Sequence, residues 1–330
     1  MNLNNSFENK NIVITGGLGF IGSNLAERLC QFGANVTLLD SMLPDYGGNE
    51  RNVEKIKDKV KISYTDMRDP HSLPYIVKNS DYIFNLAGQI SHIDSMNDPI
   101  QDLEINQKAQ VYFLEAVRKY AKNSIVVHAS TRQIYGKTIK TPTDENHPIA
   151  PTDVNGINKL GGELYHTLYS KVYGIKTVSL RLTNTYGPRQ LIRHNRQGFI
   201  GWFMNRALLG EEIVLYGDGS QIRDFTYVDD VVDGLLLTSI NEKAWGNVYN
   251  LGGIRPYTLL ETANILKNLN PNLTIRFIPF PEERKKIDIG NYIADYNKIK
   301  SEINWKPKVD LPDGLEKMFN FYKGKLENYL

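Results

Sequence analysis

Asn155 and Lys159 stand four residues apart in VNGINKLGGELYHTLYSKVYG, a run whose apolar residues recur at helical spacing. On a helix, an amide and an ammonium at that spacing share one face. Together they can orient a hydroxyl group, but the amide cannot take its proton as a general base. The Asn155-Gly156 pair is also a turn signal, which leaves a turn as the alternative.

A second group of residues suits a different task. In NIVITGGLGFIGSNLAERL, Gly16, Gly19 and Gly22 fall between a strand-like run and a helical one. Glycines in such a turn let the backbone approach a pyrophosphate, and the helix start supplies amide donors and a favourable dipole. Downstream, NVTLLD ends in Asp40, where a carboxylate can hold an adenosine ribose. That carboxylate would repel a ribose 2′-phosphate, and Ser41 and Met42 after it supply no Arg, so NAD is expected rather than NADP. Asp66, ending KISYTD, is placed either to meet the adenine edge or to cap the segment that follows. His92, in GQISHIDS, is expected either on the far side of the same cleft, with an acid–base option, or packed as a loop residue.

These residues need a rigid frame. The β-rich runs NIVITG, NVTLLD, KISYTD, DYIFNLA, SIVVHAS and KTVSLRL alternate with amphipathic stretches. That is the pattern of buried parallel strands separated by helices, and it predicts an α/β fold with a Rossmann-like doubly wound parallel sheet. After about residue 186, Gly- and Pro-containing stretches such as YGPRQ and LYGDGSQ break up shorter elements. The chain is therefore divided into a dinucleotide-binding domain over 1–186, to which later segments return, and a smaller α/β lobe over 187–330.

With 330 residues, 41% hydrophobic and 23% charged, the chain can bury a full core. Its 39 Lys+Arg against 37 Asp+Glu leave a net charge of only +2, so no basic field points to nucleic acid or to an anionic membrane. The single Cys30 forms no internal disulfide and reads as a small apolar helix residue. The polar start and the absence of a ~20-residue apolar run predict a cytoplasmic protein. No metal site is expected.

Taken together, TGGLGFIG, NLAGQ, RLTNTYGPRQ, RDFTYVDD and INWKPKVDLPDGL resemble the motifs of the extended short-chain dehydrogenase/reductases, in particular the NAD-dependent epimerase/dehydratase family acting on nucleotide sugars. LAGQISHIDSMNDPIQDLEIN looks most like the corresponding stretch of CDP-paratose 2-epimerases. This resemblance implies a nucleoside-diphosphate sugar as substrate. It also implies cofactor contacts at Phe20, Ile21, Ala87 and Lys159, and substrate contacts at Gln89, His92, Asn184, Arg223 and Arg284. Thr131 falls at the family's catalytic Ser/Thr position, where a hydroxyl bonds the reacting sugar oxygen. The Asp-Glu pair of the family's dehydratases is replaced by Arg132 and Gln133, so a 4,6-dehydratase is not expected. Dimerisation through helices at 99–120 and 155–173 is likewise implied.

The resemblance also defines the main departure. The family's catalytic Tyr is Asn155 here. The reading favoured is an epimerase working through a transient keto sugar, with a relay of Thr131, Lys159 of depressed pKa and water carrying the proton. Asp153 or Tyr135 filling the gap is a second possibility. A C4 dehydrogenase or ketoreductase is the alternative within the class, and a catalytically silent sugar-nucleotide binder the alternative outside it.

Overall fold

A computed structural model describes residues 3–196, 198–282 and 288–330. The six strand-like runs form β1 (Asn11–Thr15), β2 (Asn35–Leu39), β3 (Val60–Ser63), β4 (Tyr82–Asn85), β5 (Ile125–Thr131) and β6 (Lys176–Leu182). Four short strands follow: β7 (Asn184–Tyr186), β8 (Glu212–Tyr216), β9 (Ile222–Arg223) and β10 (Phe225–Tyr227). β11 (Val248–Asn250) then returns to the edge of the first sheet, giving the seven-stranded order β11-β6-β5-β4-β1-β2-β3, parallel throughout.

Successive side chains on a strand face opposite ways, so each apolar strand supplies two cores. Ile12, Ile14, Val127 and Val178 pack on one face with Leu25 and Leu235. Val13, Ile83 and Val126 pack on the other with Phe113, Val117 and Tyr169. The chain winds outward from β1 to β3, then restarts at β4 and winds the other way. The crevice beyond the carboxyl ends of β1 and β4 is the switch point where open α/β sheets bind ligands.

The smaller lobe pairs β7 with β10, β8 with β13 (Thr274–Ile278), and β9 with β12 (Tyr257–Thr258). Its core holds Tyr186, Met204, Phe225, Leu266, Leu315 and Met318. Helix Phe20–Gln31 joins the lobe to the sheet. Asn24 Nδ2 donates to the Pro188 carbonyl at 3.0 Å and Glu27 pairs with Arg189, while Arg28 reaches Asp233 at 3.1 Å on helix Val228–Ser239, which packs against the sheet.

Helix Val154–Tyr173 runs without interruption through Asn155-Gly156, which disposes of a turn there. Asp153 caps its start by accepting from Gly156 N at 2.7 Å, and Gly174, at φ +69°, ends it in the left-handed conformation that glycine tolerates best. Gly162 lets this helix press against the π-helical turn Glu104–Lys108, where an added Cβ would sit 2.9 Å from the Asn106 carbonyl oxygen. Among the described residues, no helix is long and apolar enough to cross a membrane.

Candidate active site

A cleft opens at the switch point, lined by the glycine turn, the ends of β2, β4 and β5, and residues 190–191 and 198–200 of the smaller lobe. Gly16 sits at φ +67°, where a Cβ would meet the Ala87 backbone at 3.1 Å, and a Cβ on Gly22 would stand 2.2 Å from the Gly16 carbonyl oxygen. Side chains are therefore sterically excluded at these two positions. Helix Phe20–Gln31 starts behind it with no side-chain cap, leaving its first amides for an anion.

Asp40 accepts from Leu18 N and Met42 N, each at 3.0 Å, which fixes its carboxylate at the cleft edge and leaves lone pairs for hydroxyl donors. Burial pushes its pKa up, and the two amides oppose that. Asp66 also lines the cleft while accepting from Arg68 N at 2.8 Å and pairing with the Arg68 guanidinium at 2.6 Å. Turn cap and cleft wall coexist in that residue. The turn, the open amides and the anchored carboxylate fit a dinucleotide.

Deeper in, a buried polar cluster surrounds the Asp102 carboxylate. Asn158 donates to it at 2.8 Å, Asn155 at 2.9 Å and Asn106 at 3.0 Å. Asn155 Nδ2 also faces the backbone and side-chain oxygens of Gln89 at 2.9 Å, while Asn106 exchanges two bonds with the Gln89 backbone. Lys159 lies beside this cluster with its Nζ against Gly88, where a Cβ would be 2.3 Å away. Burial lowers its pKa to about 8, with the Asp102 charge opposing.

Across the cleft, Thr131 ends β5 and caps the short turn Arg132–Tyr135. Its Oγ1 donates to Gln133 Oε1 at 3.2 Å, and Gln133 Nε2 contacts the His92 imidazole at 2.6 Å. His92 Nδ1 pairs with the buried Asp153 carboxylate. Arg132 adds a buried guanidinium that donates to Asn184 at 3.1 Å. Its pKa is lowered to about 10, mainly by burial and next by Arg223, so it is a cation at neutral pH. Among the described residues, no cluster of ligating side chains could hold a metal ion.

Residues 13–318 match the family model described as GDP-mannose 4,6 dehydratase. The chain belongs to that family. It is 29% identical to a CDP-paratose 2-epimerase from Salmonella typhi, over 94% of this chain and 98% of that one. The solved UDP-glucose 4-epimerase of Thermotoga maritima, with UDP-glucose, superposes with a TM-score of 0.87 at 31% identity, over 96% of this chain and 99% of that one. A Streptomyces venezuelae dTDP-glucose 4,6-dehydratase with NAD bound gives 0.86 at 26% identity, over 96% and 98%.

In this family member, the cleft brings together Gly16, Gly19, Phe20, Ile21, Gly22, Asp40, Asp66, Ala87, Gln89, His92, Thr131, Lys159 and Asn184. Two expected residues lie elsewhere. Asn155 shares the helix with Lys159 but is not a wall of the cleft; its amide is drawn behind that wall by Asp102 and Gln89. Arg223 is held by Asp288 at 3.0 Å and by the Gly290 carbonyl at 2.9 Å, outside the cleft. Arg284 falls outside the described residues. Tyr135 is fully buried against Arg181 and Asn250, each at 2.7 Å, and burial pushes its pKa up to about 12, which removes it as a proton acceptor. Arg193 and Arg196, a basic pair in sequence, are both engaged by Asp45.

The reading from sequence missed Asp102, Asn106 and Asn158. The spacing of Asp102 and Asn106, one helical turn apart in DLEIN, was the available signal. Removing the Asn155 amide leaves a buried carboxylate short of a donor. Asn155→Ala is therefore expected to lower unfolding stability by about 1–3 kcal/mol, read from the urea midpoint.

Proposed function

We propose that the protein is an NAD-dependent epimerase of a nucleoside-diphosphate sugar, working through a transient keto sugar. The observation that carries this is the convergence of the Lys159 ammonium and the Thr131 hydroxyl on the cleft that contains the glycine turn. Gly16, Gly19, Gly22, Phe20 and Ile21 would hold the pyrophosphate side of the cofactor, Asp40 the ribose, and Asp66 and Ala87 the flanks of the same channel. When bound, the nicotinamide accepts and returns the hydride of one carbinol carbon. Lys159 and Thr131 orient the hydroxyl on that carbon, and the Lys159 charge favours loss of its proton. Gln89, Asn184 and the buried Arg132 cation support the sugar-nucleotide side. Asn155 serves as a positioning residue, fixing the Asp102 cluster behind Lys159.

Kinship with dehydratases leaves water elimination open, so the preference for epimerisation rests on residues. Elimination needs an acid and a base beside Thr131, and Arg132 and Gln133 supply neither near pH 7. The deciding experiment mixes NAD-loaded protein with UDP-, GDP-, CDP- and TDP-hexoses, following reduced-nicotinamide absorbance and product configuration by NMR. An inverted sugar with transient absorbance is expected. Lasting absorbance would make the enzyme a net dehydrogenase, and no hydride movement with a nucleotide sugar that binds would make it a silent binder.

Lys159→Met is expected to lower kcat by about 10²–10⁴-fold while sugar-nucleotide affinity, measured by calorimetry, stays close to wild type. Because the ammonium loses its proton as pH rises through about 8, wild-type turnover should fall above that pH, and stopped-assay rates across pH 6–10 check the limb.

A homodimer completes the proposal. Ile157, Leu164, Leu168 and Val172 are exposed along one stripe of helix Val154–Tyr173, next to exposed Ile100 and Leu103. An apolar stripe of this kind is characteristic of an interface between helices. Leu168→Glu is expected to shift the species seen by light scattering from dimer to monomer.

A further inference from the structure

Lys159 and Thr131 orient a hydroxyl but leave its proton without a destination. We propose that His92 is the acid–base residue of this enzyme, its Nε2 taking the hydroxyl proton as the sugar is oxidised and returning it as the sugar is reduced, with Asp153 holding the ring in the required tautomer. This rests on the epimerase reading above.

The geometry supplies each requirement of a general base. His92 lines the cleft that also holds Thr131 and Lys159. Its side chain is 38% exposed against 2% for Asp153, so the ring is reachable and the carboxylate behind it is not. One Asp153 oxygen is committed to Gly156 N, and the other meets His92 Nδ1. A carboxylate only accepts, so Nδ1 carries the proton and Nε2 keeps its lone pair. The Gln133 amide nitrogen packs against the ring, 2.6 Å from both Nδ1 and Nε2, and Gln133 in turn accepts from Thr131 at 3.2 Å. A sugar hydroxyl bound by Thr131 would reach Nε2 by displacing this amide from the ring.

Other candidates in the neighbourhood fail on burial or chemistry. Tyr135 is sealed behind β5, Asp153 reaches the cleft only through the imidazole, and the Asn155 amide cannot accept a proton as a base near neutral pH. The charged groups around the ring are Asp153 and Lys159 from the long helix, Arg132 from the turn after β5, and Asp94 on its own helix, with Arg196 at 3.9 Å from Asp94.

The step balances. The O–H bond breaks and Nε2–H forms, while the oxygen's electron pair becomes the C=O π bond as the carbinol C–H pair leaves as hydride to oxidised nicotinamide. Return to the opposite face runs the same changes backward and frees Nε2 again.

The test compares wild type, His92→Gln, His92→Ala and Asp153→Asn, each shown by calorimetry to bind NAD. His92→Gln should lose about 10²–10⁴-fold in kcat with KM nearly unchanged. His92→Ala should regain rate in free imidazole, which a packing role would not allow. Independently of turnover, nitrogen NMR of the cofactor-free protein should show the ring resonances absent from His92→Gln as the Nδ1–H tautomer, and Asp153→Asn should abolish that preference. Wild-type turnover in His92→Gln, or an Nε2–H ring in wild type, would overturn the proposal. Wild-type protein that moves no hydride with any sugar nucleotide it binds would overturn the epimerase reading as well, so the two failures are separable.

Discussion

The Asp102 carboxylate is buried with no cation among the described residues in direct contact, and a charge in that position persists only if its oxygens are hydrogen-bonded. Three asparagine amides meet that demand, and they come from two different parts of the chain. Asn106 lies one turn beyond Asp102 on its own segment, while Asn155 and Asn158 open the long helix 154–173. Through Gln89, the same cluster holds the loop after β4. Lys159 sits against Gly88 of that loop, so the position of the ammonium depends on a network to which it donates no bond. Asn155 belongs to this network. What resembles a lost catalytic residue is, in its surroundings, one of the groups that make a buried carboxylate tolerable.

Opposite the cluster, the cap of the long helix does two things with one carboxylate. Asp153 satisfies the Gly156 amide in the first turn of the helix and also fixes the His92 ring. The helix start therefore sets two walls of the cleft: Lys159 in its second turn, His92 through its cap. This coupling explains how a fold can keep its frame while the chemistry at position 155 changes, because the frame depends on amides and caps more than on a phenol.

The sheet was legible because parallel strands buried on both faces appear as unbroken apolar runs, and all six such runs became strands. β11 was not, since the three residues Val248–Asn250 carry no period. The glycine turn and Asp40 were legible because the constraint there is local: a missing Cβ and a carboxylate at a strand end. Helical spacing correctly put Asn155 and Lys159 on one face, but spacing says nothing about which of two adjacent polar surfaces a short side chain will choose, and Asp102 decided that. Arg223 likewise carried the right chemistry but is committed to Asp288. The pairing of His92 with Asp153, 61 residues apart, required the folded loop and helix together.

Helix Phe20–Gln31 starts at the glycine turn, and its flank is fastened to the smaller lobe through Asn24 and Glu27. Two lobes hinged at a flexible joint can swing apart to admit a large ligand; two lobes pinned along a shared helix cannot. Entry and exit of a nucleotide sugar would then fall to segments 41–48 and 190–196 beside the cleft, which Asp45 ties together through Arg193 and Arg196 as a latch would. Such a latch loosens with salt, so ionic strength would govern how quickly the site exchanges its contents more than how tightly it holds them.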